Sequence, residues 1–500
     1  MATRHGRFNF GIENPPRSTY HDQGKFGRLF PSLPPFADDT RAVREALLDI
    51  GKSGGIMDAG DDLRDPVKLI TDAEKFKNNP DNPNMTAGFT FLGQFIDHDI
   101  TFDPTSSLER QQDPEAIANF RTPLLELDNV YGSGPTASPH LYDQESEEVK
   151  FYVEEIPGSE TETRNGKKKF DLPRNGQLTA LIADPRNDEN LIVSQLQLAF
   201  LRFHNAVVDY VKAEMPELRT VRQRFIEAQR LVRWHYQWII VHEFLPRTCG
   251  QDTIDDVLQQ GKKGGRKFYN WRNGPFIPTE FSVGAYRFGH SQVRPSYRAN
   301  FGKDDNHQFF GLIFNDKLPR SDDPDDLRGG RRAKRRFIDW QTFFDFGDGK
   351  SRSNKLIDTK LSSVLFDLVD LPAGEPQSLA QLNLLRNLAL KVPSGQDVAK
   401  AMRLTPLARG DLDDLKPYGL DTRTPLWFYV LREAETQAGG KCLGQVGGHI
   451  VAEVMIGLLE GDRSSYLRQD PEWKPSLPAA TQGDFRITDL LNFADVVTAL

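Results

Sequence analysis

Cysteine is nearly absent: Cys249 and Cys442 are the only two in 500 residues. That excludes a disulfide framework and a CxxC metal site, and both side chains read as buried thiols. Long apolar runs are missing too. The longest candidate, VGGHIVAEVMIGLL from Val446 to Leu459, falls short of the roughly 20 residues needed to cross a bilayer and reads as a buried core helix, so no membrane span is expected. The first residues, MATRHGRFNFGIENPPR, contain no apolar stretch of the kind that precedes a cleavage site. Cytoplasm is therefore the expected compartment, with export by an uncleaved route leaving no mark. An excess of positive charge is also lacking. The net charge of -8 argues against a nucleic-acid partner, which usually needs a basic face. No internal repeat is visible.

What is present is an ordinary globular composition, 38% hydrophobic and 27% charged, which excludes wholesale disorder. Residues 1–75 are rich in Gly, Pro and Arg and hold one short helical pattern, TRAVREALLDIG, with Gly51 as its C-terminal stop. They read as an arm wrapped on a main body spanning 76–500. GFTFLGQFIDHDI has helical spacing, with Asn84 and Thr86 as candidate N-caps. The strongest helix follows Asn190, and a second long one runs from Val221 to about Phe244. Further helices fit Ser378 to Leu390, Gly395 to Met402, Pro425 to Gln437 and Gly447 to Leu459. Lys150 to Pro173 reads as a strand, a polar loop with Asn165-Gly166 and a returning strand. SDDPDDLRGGRRAKRRF reads as a solvated loop and helix start, docking of an acidic partner being the alternative. The fold class is mainly α, with strands too few and scattered for a large sheet.

Most of the ten histidines have bland readings. His204, His235, His242 and His449 fit satisfied positions in core helices; His5, His21, His140 and His307 sit in polar segments. His98 and His290 are different. The first stands in GQFIDHDITFD between Asp97 and Asp99, among residues that ask for burial. Buried charges are costly unless compensated, so this stretch reads as a site. On a helix Gln94, Asp97 and His98 share one face, and Asp99 points elsewhere. A cation would explain Asp99: TPLLELD places Thr122, Leu124, Glu126 and Asp128 at steps of two, the alternation in which a Ca²⁺ loop offers oxygens. Donors without Cys or His favour a hard cation over zinc. Read alone, the same segment is a turn with solvated acids.

GQFIDHDITFD, TPLLELDNVYG, DPRNDE, YRFGH and LNLLR, in this order and with these gaps, resemble the peroxidase-cyclooxygenase superfamily, in particular the bacterial branch of the animal-type haem peroxidases. The resemblance runs from about Met85 to Tyr466. It implies a helical haem peroxidase fold, haem b and Ca²⁺ as cofactors, hydrogen peroxide as one substrate, and a halide, pseudohalide or phenolic donor as the other. It also implies roles. His98 falls on the distal histidine, Arg186 on the distal arginine and Gln94 on their neighbour near the halide pocket. Asp97 and Glu189 fall on the carboxylates that esterify haem methyls. His290 falls on the proximal iron ligand, Arg287 on a propionate-pairing arginine, and Asn383 on the asparagine that accepts from the proximal imidazole, with Arg386 three residues later. Asp99, Thr122, Leu124, Glu126 and Asp128 fall on calcium ligands.

Four departures qualify the resemblance. Glu126 stands where aspartate is usual, and Asn190 stands where myeloperoxidase has the methionine of a sulfonium link, so no such bond is expected. NLALKVPSGQ lacks the Arg-Asp-His-Gly run usual after Arg386. Arg287 occupies the position of the cyclooxygenase radical tyrosine, with Tyr286 one residue off. A fatty-acid dioxygenase and a non-catalytic haem-binding member remain the alternatives. Without the family, Arg186 reads as paired with Asp184 or Asp188, Glu189 as a first-turn acid complementing a helix dipole, Asn383 as an ordinary helical polar residue, and His290 as lying near a helix start.

Overall fold

The computed structural model describes residues 26–102, 119, 121–262, 265–271, 274–314, 327–368 and 376–498; His5, His21 and the acidic run 321–326 lie outside them. Seven helices position the site. Helix α1 is Arg41–Ile50, α2 Gly88–Ile100, α3 Leu191–Glu214, α4 Val221–Ile239, α5 Leu379–Ala389, α6 Leu426–Ala438 and α7 Gln445–Gly461. Among the described residues the strands form only two-stranded pairs, for example Ser296–Asn300 with Phe309–Leu312. The mainly helical reading holds.

Helix ends follow the sequence signals where side chains can reach. Thr40 caps α1 by accepting from Val43 N, Asn190 caps α3 by accepting from Ile192 N and Val193 N, and Thr220 with Gln223 forms a capping box on α4. The start of α2 corrects the sequence reading: neither Asn84 nor Thr86 caps it. Those residues belong to the strand Asp81–Thr86, and the amides of Ala87 and Gly88 donate instead to Arg352 O and Phe343 O. A Cβ at Gly88 would stand 2.4 Å from the Phe344 ring, so only glycine lets this helix approach so closely.

Packing of α2, α3 and α4 builds the core beneath the site. Phe95 stacks on Phe200 at 4.5 Å, and Tyr236 meets the Phe200 ring edge-on at 5.6 Å. Helix α3, rather than Val446–Leu459, is the one segment among the described residues long and apolar enough to cross a membrane by composition, but 83% of its apolar window is buried inside the protein. The C-terminal end of α4 opens into a π-helical turn, Ile240–Phe244. The segment before His290 is not an α-helix either: a π turn, Glu280–Gly284, runs into a 3-10 helix, Ala285–His290, so His290 ends a helix instead of starting one.

Smaller readings resolve as follows. The Lys150–Pro173 excursion returns through strands of two residues each, Glu154–Glu155 and Phe170–Asp171. The basic run forms no helix; Arg332 pairs with Glu154 and Asp171, and Lys334 with Glu162. Cys249 is a buried free thiol, and Cys442 is a half-buried one. His204 and His235 are fully buried and hydrogen-bonded at both ring nitrogens, while His140 and His307 are exposed.

Candidate active site

A cavity of about 370 Å³ lies between α2 and the Ala285–His290 turn. Gln94, Asp97 and His98 line it from α2, Glu189 and Asn190 from the turn before α3, and Arg287 and His290 from the other side. Most of the remaining wall is apolar, including Phe89, Phe91, Phe288, Ile313 and Leu365. A second cavity of about 130 Å³ shares Asp97, Ser282 and Arg287 with the first and adds Arg186, Arg386 and Phe26. The structure thus brings Gln94, Asp97, His98, Glu189, Arg287 and His290 together, and it sets Arg186 and Arg386 at an adjoining cationic end. A more open cleft of about 750 Å³ around Trp238, His242 and Trp271 contains none of these residues.

His98 is 6% exposed. Its Nδ1 lies 2.7 Å from Asn187 Oδ1, and Asn187 Nδ2 donates to Gln197 Oε1 at 2.8 Å. Sequence reasoning missed both amides, although Asn187 sits inside the DPRNDE motif; nothing in the spacing distinguishes it from a solvated turn residue. The pairing of Arg186 with Asp184, the reading made without the family, is what the structure shows. Its Nε donates to Asp184 Oδ1 at 3.1 Å, and its Nη2 donates to Asp184 Oδ2 at 2.8 Å and to His98 O at 3.0 Å. The guanidinium therefore clamps the C-terminal turn of α2 and does not line the larger cavity. Burial pushes the Asp184 carboxyl up, but Arg186 and Arg121 outweigh it and hold the group below the ordinary range.

Two carboxyls in the cavity behave differently. Burial raises Asp97, with Arg287 opposing, and pushes Glu189 up to about 7, with Arg186 opposing. Gln94 Nε2 donates to Glu189 Oε1. Across the cavity His290 is driven down to about 3, first by burial and then by Arg287, so it is a neutral imidazole. Its Nδ1 lies 2.7 Å from Asn383 Nδ2, while Asn383 Oδ1 accepts from Arg287 Nη1 at 3.5 Å. The contact with Asn383 is present but its polarity is the reverse of the expected one, because the carbonyl is turned to the guanidinium. Rotating the amide by 180° would let it accept from Nδ1–H. The proximal turn is itself fixed: Trp427 Nε1 donates to Arg287 O at 3.1 Å, and Asn387 Nδ2 to Val283 O at 2.7 Å.

Behind the cavity, Asp99 is fully buried. Its Oδ2 accepts from Leu127 N and from Tyr236 OH, each at 3.2 Å, and its Oδ1 has no partner. Asp128 Oδ1 is buried without a hydrogen bond, 3.5 Å from Arg121 Nη1. Burial raises Asp99, Glu126 and Asp128, and mutual repulsion adds to the rise at Asp99 and Asp128. Leu127 between the two loop acids has φ 62°, a left-handed conformation unusual for leucine. The unpartnered Asp99 Oδ1 fits a cation, whereas Asp128 already faces Arg121. The full donor set does not close in this geometry: among the described residues no three acidic or histidine side chains converge as metal ligands.

The sequence matches the animal haem peroxidase family model over residues 105–323, a range that holds Arg186, Glu189 and His290 but not His98. It is 25% identical to a chorion peroxidase of Drosophila melanogaster over 356 residues, 69% of this chain and 42% of that protein. A peroxidase-like protein of Margaritifera margaritifera is 34% identical over 111 residues, 22% of this chain and 14% of that one. The matched region thus spans less than half the length of these curated relatives. Among solved structures, peroxidase A from Dictyostelium discoideum superposes with a TM-score of 0.52 at 15% identity, covering 96% of this chain and 94% of its own. The fatty acid alpha-dioxygenase of Arabidopsis thaliana superposes with a TM-score of 0.55 at 14% identity, covering 92% and 74%. Residues 105–323 thus match the animal haem peroxidase family, and the fold is one shared with these solved structures. The haem of that family is a large planar ligand, and the lining fits it: two imidazoles, His98 and His290, face a mostly apolar space that holds Arg287 and adjoins Arg186 and Arg386.

Proposed function

We propose that the protein is a haem peroxidase that reduces hydrogen peroxide and oxidises a small anionic or phenolic donor. The observation that carries this reading is that His98 and His290, from distant parts of the chain, line one cavity. His290 would hold the iron, Arg287 and Arg386 the propionates, and Asp97 and Glu189 the macrocycle through esters. An ester suits an apolar wall, because it carries no charge to desolvate. When bound, haem would supply the iron at which peroxide is reduced and a donor oxidised. His98 takes a proton from one peroxide oxygen and returns it to the other, a double role that imidazole performs near neutral pH. Arg186 contributes positive potential from its clamp behind His98, favouring charge that develops on the departing oxygen. Asn383 would orient the proximal imidazole once its amide is rotated so that the carbonyl, now facing Arg287, accepts from Nδ1–H. Asp99, Thr122, Leu124, Glu126 and Asp128 are the proposed Ca²⁺ ligands, a role that requires the loop to draw in around the unpartnered Asp99 Oδ1. Its compartment we propose to be the cytoplasm.

Extraction with acidified acetone tests the cofactor links: haem should stay on the protein, and complete release would show Asp97 and Glu189 to be unlinked. A fatty-acid dioxygenase is the second reading, favoured by the alpha-dioxygenase likeness and by Tyr286, which lines the cavity. Against it, Tyr286 OH donates to Gly93 O at 3.1 Å and stands one position away from the expected tyrosine. Product analysis with iodide against linoleate separates the two; oxygenated linoleate without iodide oxidation would favour the dioxygenase.

A further inference from the structure

We propose that Asn187 fixes the tautomer of His98 and is the positioning residue of the distal base, an inference that rests on the peroxidase reading. A neutral imidazole can serve as a proton acceptor toward the cavity only through a ring nitrogen that carries no hydrogen, and which nitrogen that is depends on the partner of the other. In this structure the partner of Nδ1 is a carbonyl oxygen, Asn187 Oδ1, at 2.7 Å. An oxygen there requires a hydrogen on Nδ1, which leaves Nε2 as the basic nitrogen.

The amide is held in that orientation. Asn187 and Gln197 are both fully buried, and Asn187 Nδ2 donates to Gln197 Oε1 at 2.8 Å. In so dry a place an unmade hydrogen bond is expensive and a made one is strong, so the pair locks. Three elements meet at this contact: His98 comes from α2, Asn187 from the 3-10 turn Pro185–Asp188, and Gln197 from the second turn of α3. Asp184 starts that turn by accepting from Arg186 N at 2.9 Å, so the same five residues that place Arg186 and Glu189 also place Asn187. A carboxylate at position 187 would draw the proton toward itself and favour the imidazolium; a neutral amide accepts without competing for it.

Nitrogen-15 spectra of the full chain, labelled at histidine and held diamagnetic by reduction under carbon monoxide, read this directly. The His98 resonances are those lost in His98→Gln. The wild type should show a protonated Nδ1 and an unprotonated Nε2. Asn187→Leu, which keeps the branched skeleton and removes the acceptor, should abolish that fixed pattern and slow the reaction with peroxide at least about 10-fold. Asn187→Asp should keep Nδ1 protonated, because Gln197 Nε2, buried without a partner, can turn to donate to the new carboxylate. A wild-type Nε2–H tautomer would overturn the proposal, as would an unchanged pattern in Asn187→Leu or loss of the Nδ1 proton in Asn187→Asp. Absence of any reaction with peroxide in the wild type would instead sink the peroxidase reading, while the nitrogen pattern would still report on Asn187.

Discussion

Asp97, His98 and Asp99 stand in a row, yet the turn of α2 sends each to a different environment. Asp97 faces both cavities, His98 faces the larger one and Asn187, and Asp99 faces Tyr236 and Leu127 N on the far side. Their roles can be separated by single substitutions. His98→Ala should slow the first reaction with peroxide by about 10²- to 10⁴-fold in stopped-flow measurements while haem remains bound; an unchanged rate would remove His98 from its role. For Asp99 the orphan Oδ1 is the handle. Calcium at about 100 times its Kd should stabilise the wild type by about 2.7 kcal/mol and leave Asp99→Ala unmoved. Equal shifts in melting temperature, or none in either protein, would dispose of the cation.

At the scale of elements, buried glutamates tie helices to loops that have no caps of their own. Glu433 on α6 accepts from Val446 N and Gly447 N, completing the start of α7, whose N-cap is Gly444. Glu280 accepts from Leu29 N and Phe30 N and so pins the N-terminal segment beside the proximal turn. We predict that Glu280→Ala leaves the helices intact but exposes residues near 26–36 to protease, read as early cleavage there; unchanged cleavage would show that Arg28, which donates to Leu390 O and Lys391 O, suffices alone. These tertiary caps mark the limit of what was legible in the sequence. Local signals gave α1, α3 and α4 with their starts, because Thr40, Asn190 and Thr220 act within three residues, while the π turn that ends α4 at Ile239 reads in the sequence as continuous helix. The start of α2 and the π and 3-10 turns before His290 were not legible, since their backbone partners come from residues far along the chain. The site was legible as a set of motifs. What the motifs could not convey was side-chain direction: Arg186 folded back onto Asp184, Asn383 with its amide reversed, and Asn187 against His98.

For the whole molecule, buried titratable groups of both kinds set the pH response. Burial drives His204, His235 and His242 down to about 4, below the ordinary value of 6.5. Their contribution is present above about 6.5 and is lost as pH falls through about 4. Glu433 and Asp358 are pushed up to about 7 by burial, so theirs is full below the ordinary carboxylate range and is lost as pH rises through about 7. The two sets oppose each other between about pH 4 and 7. We expect a flat melting temperature across that window, and Glu433→Gln, which removes one of the opposing groups, should make it fall more steeply toward acid. A steep acid slope in the wild type, with no change in the variant, would contradict this balance.

The central claim concerns an iron porphyrin between His98 and His290, and one measurement reaches it most directly. Haemin is added to the purified chain and to His290→Ala, and the visible spectrum is recorded before and after one equivalent of hydrogen peroxide. The account predicts stoichiometric uptake by the wild type with a prompt spectral change on peroxide, and weak or altered binding in the variant. A wild-type chain that stays colourless, or a variant that binds and responds identically, would contradict it.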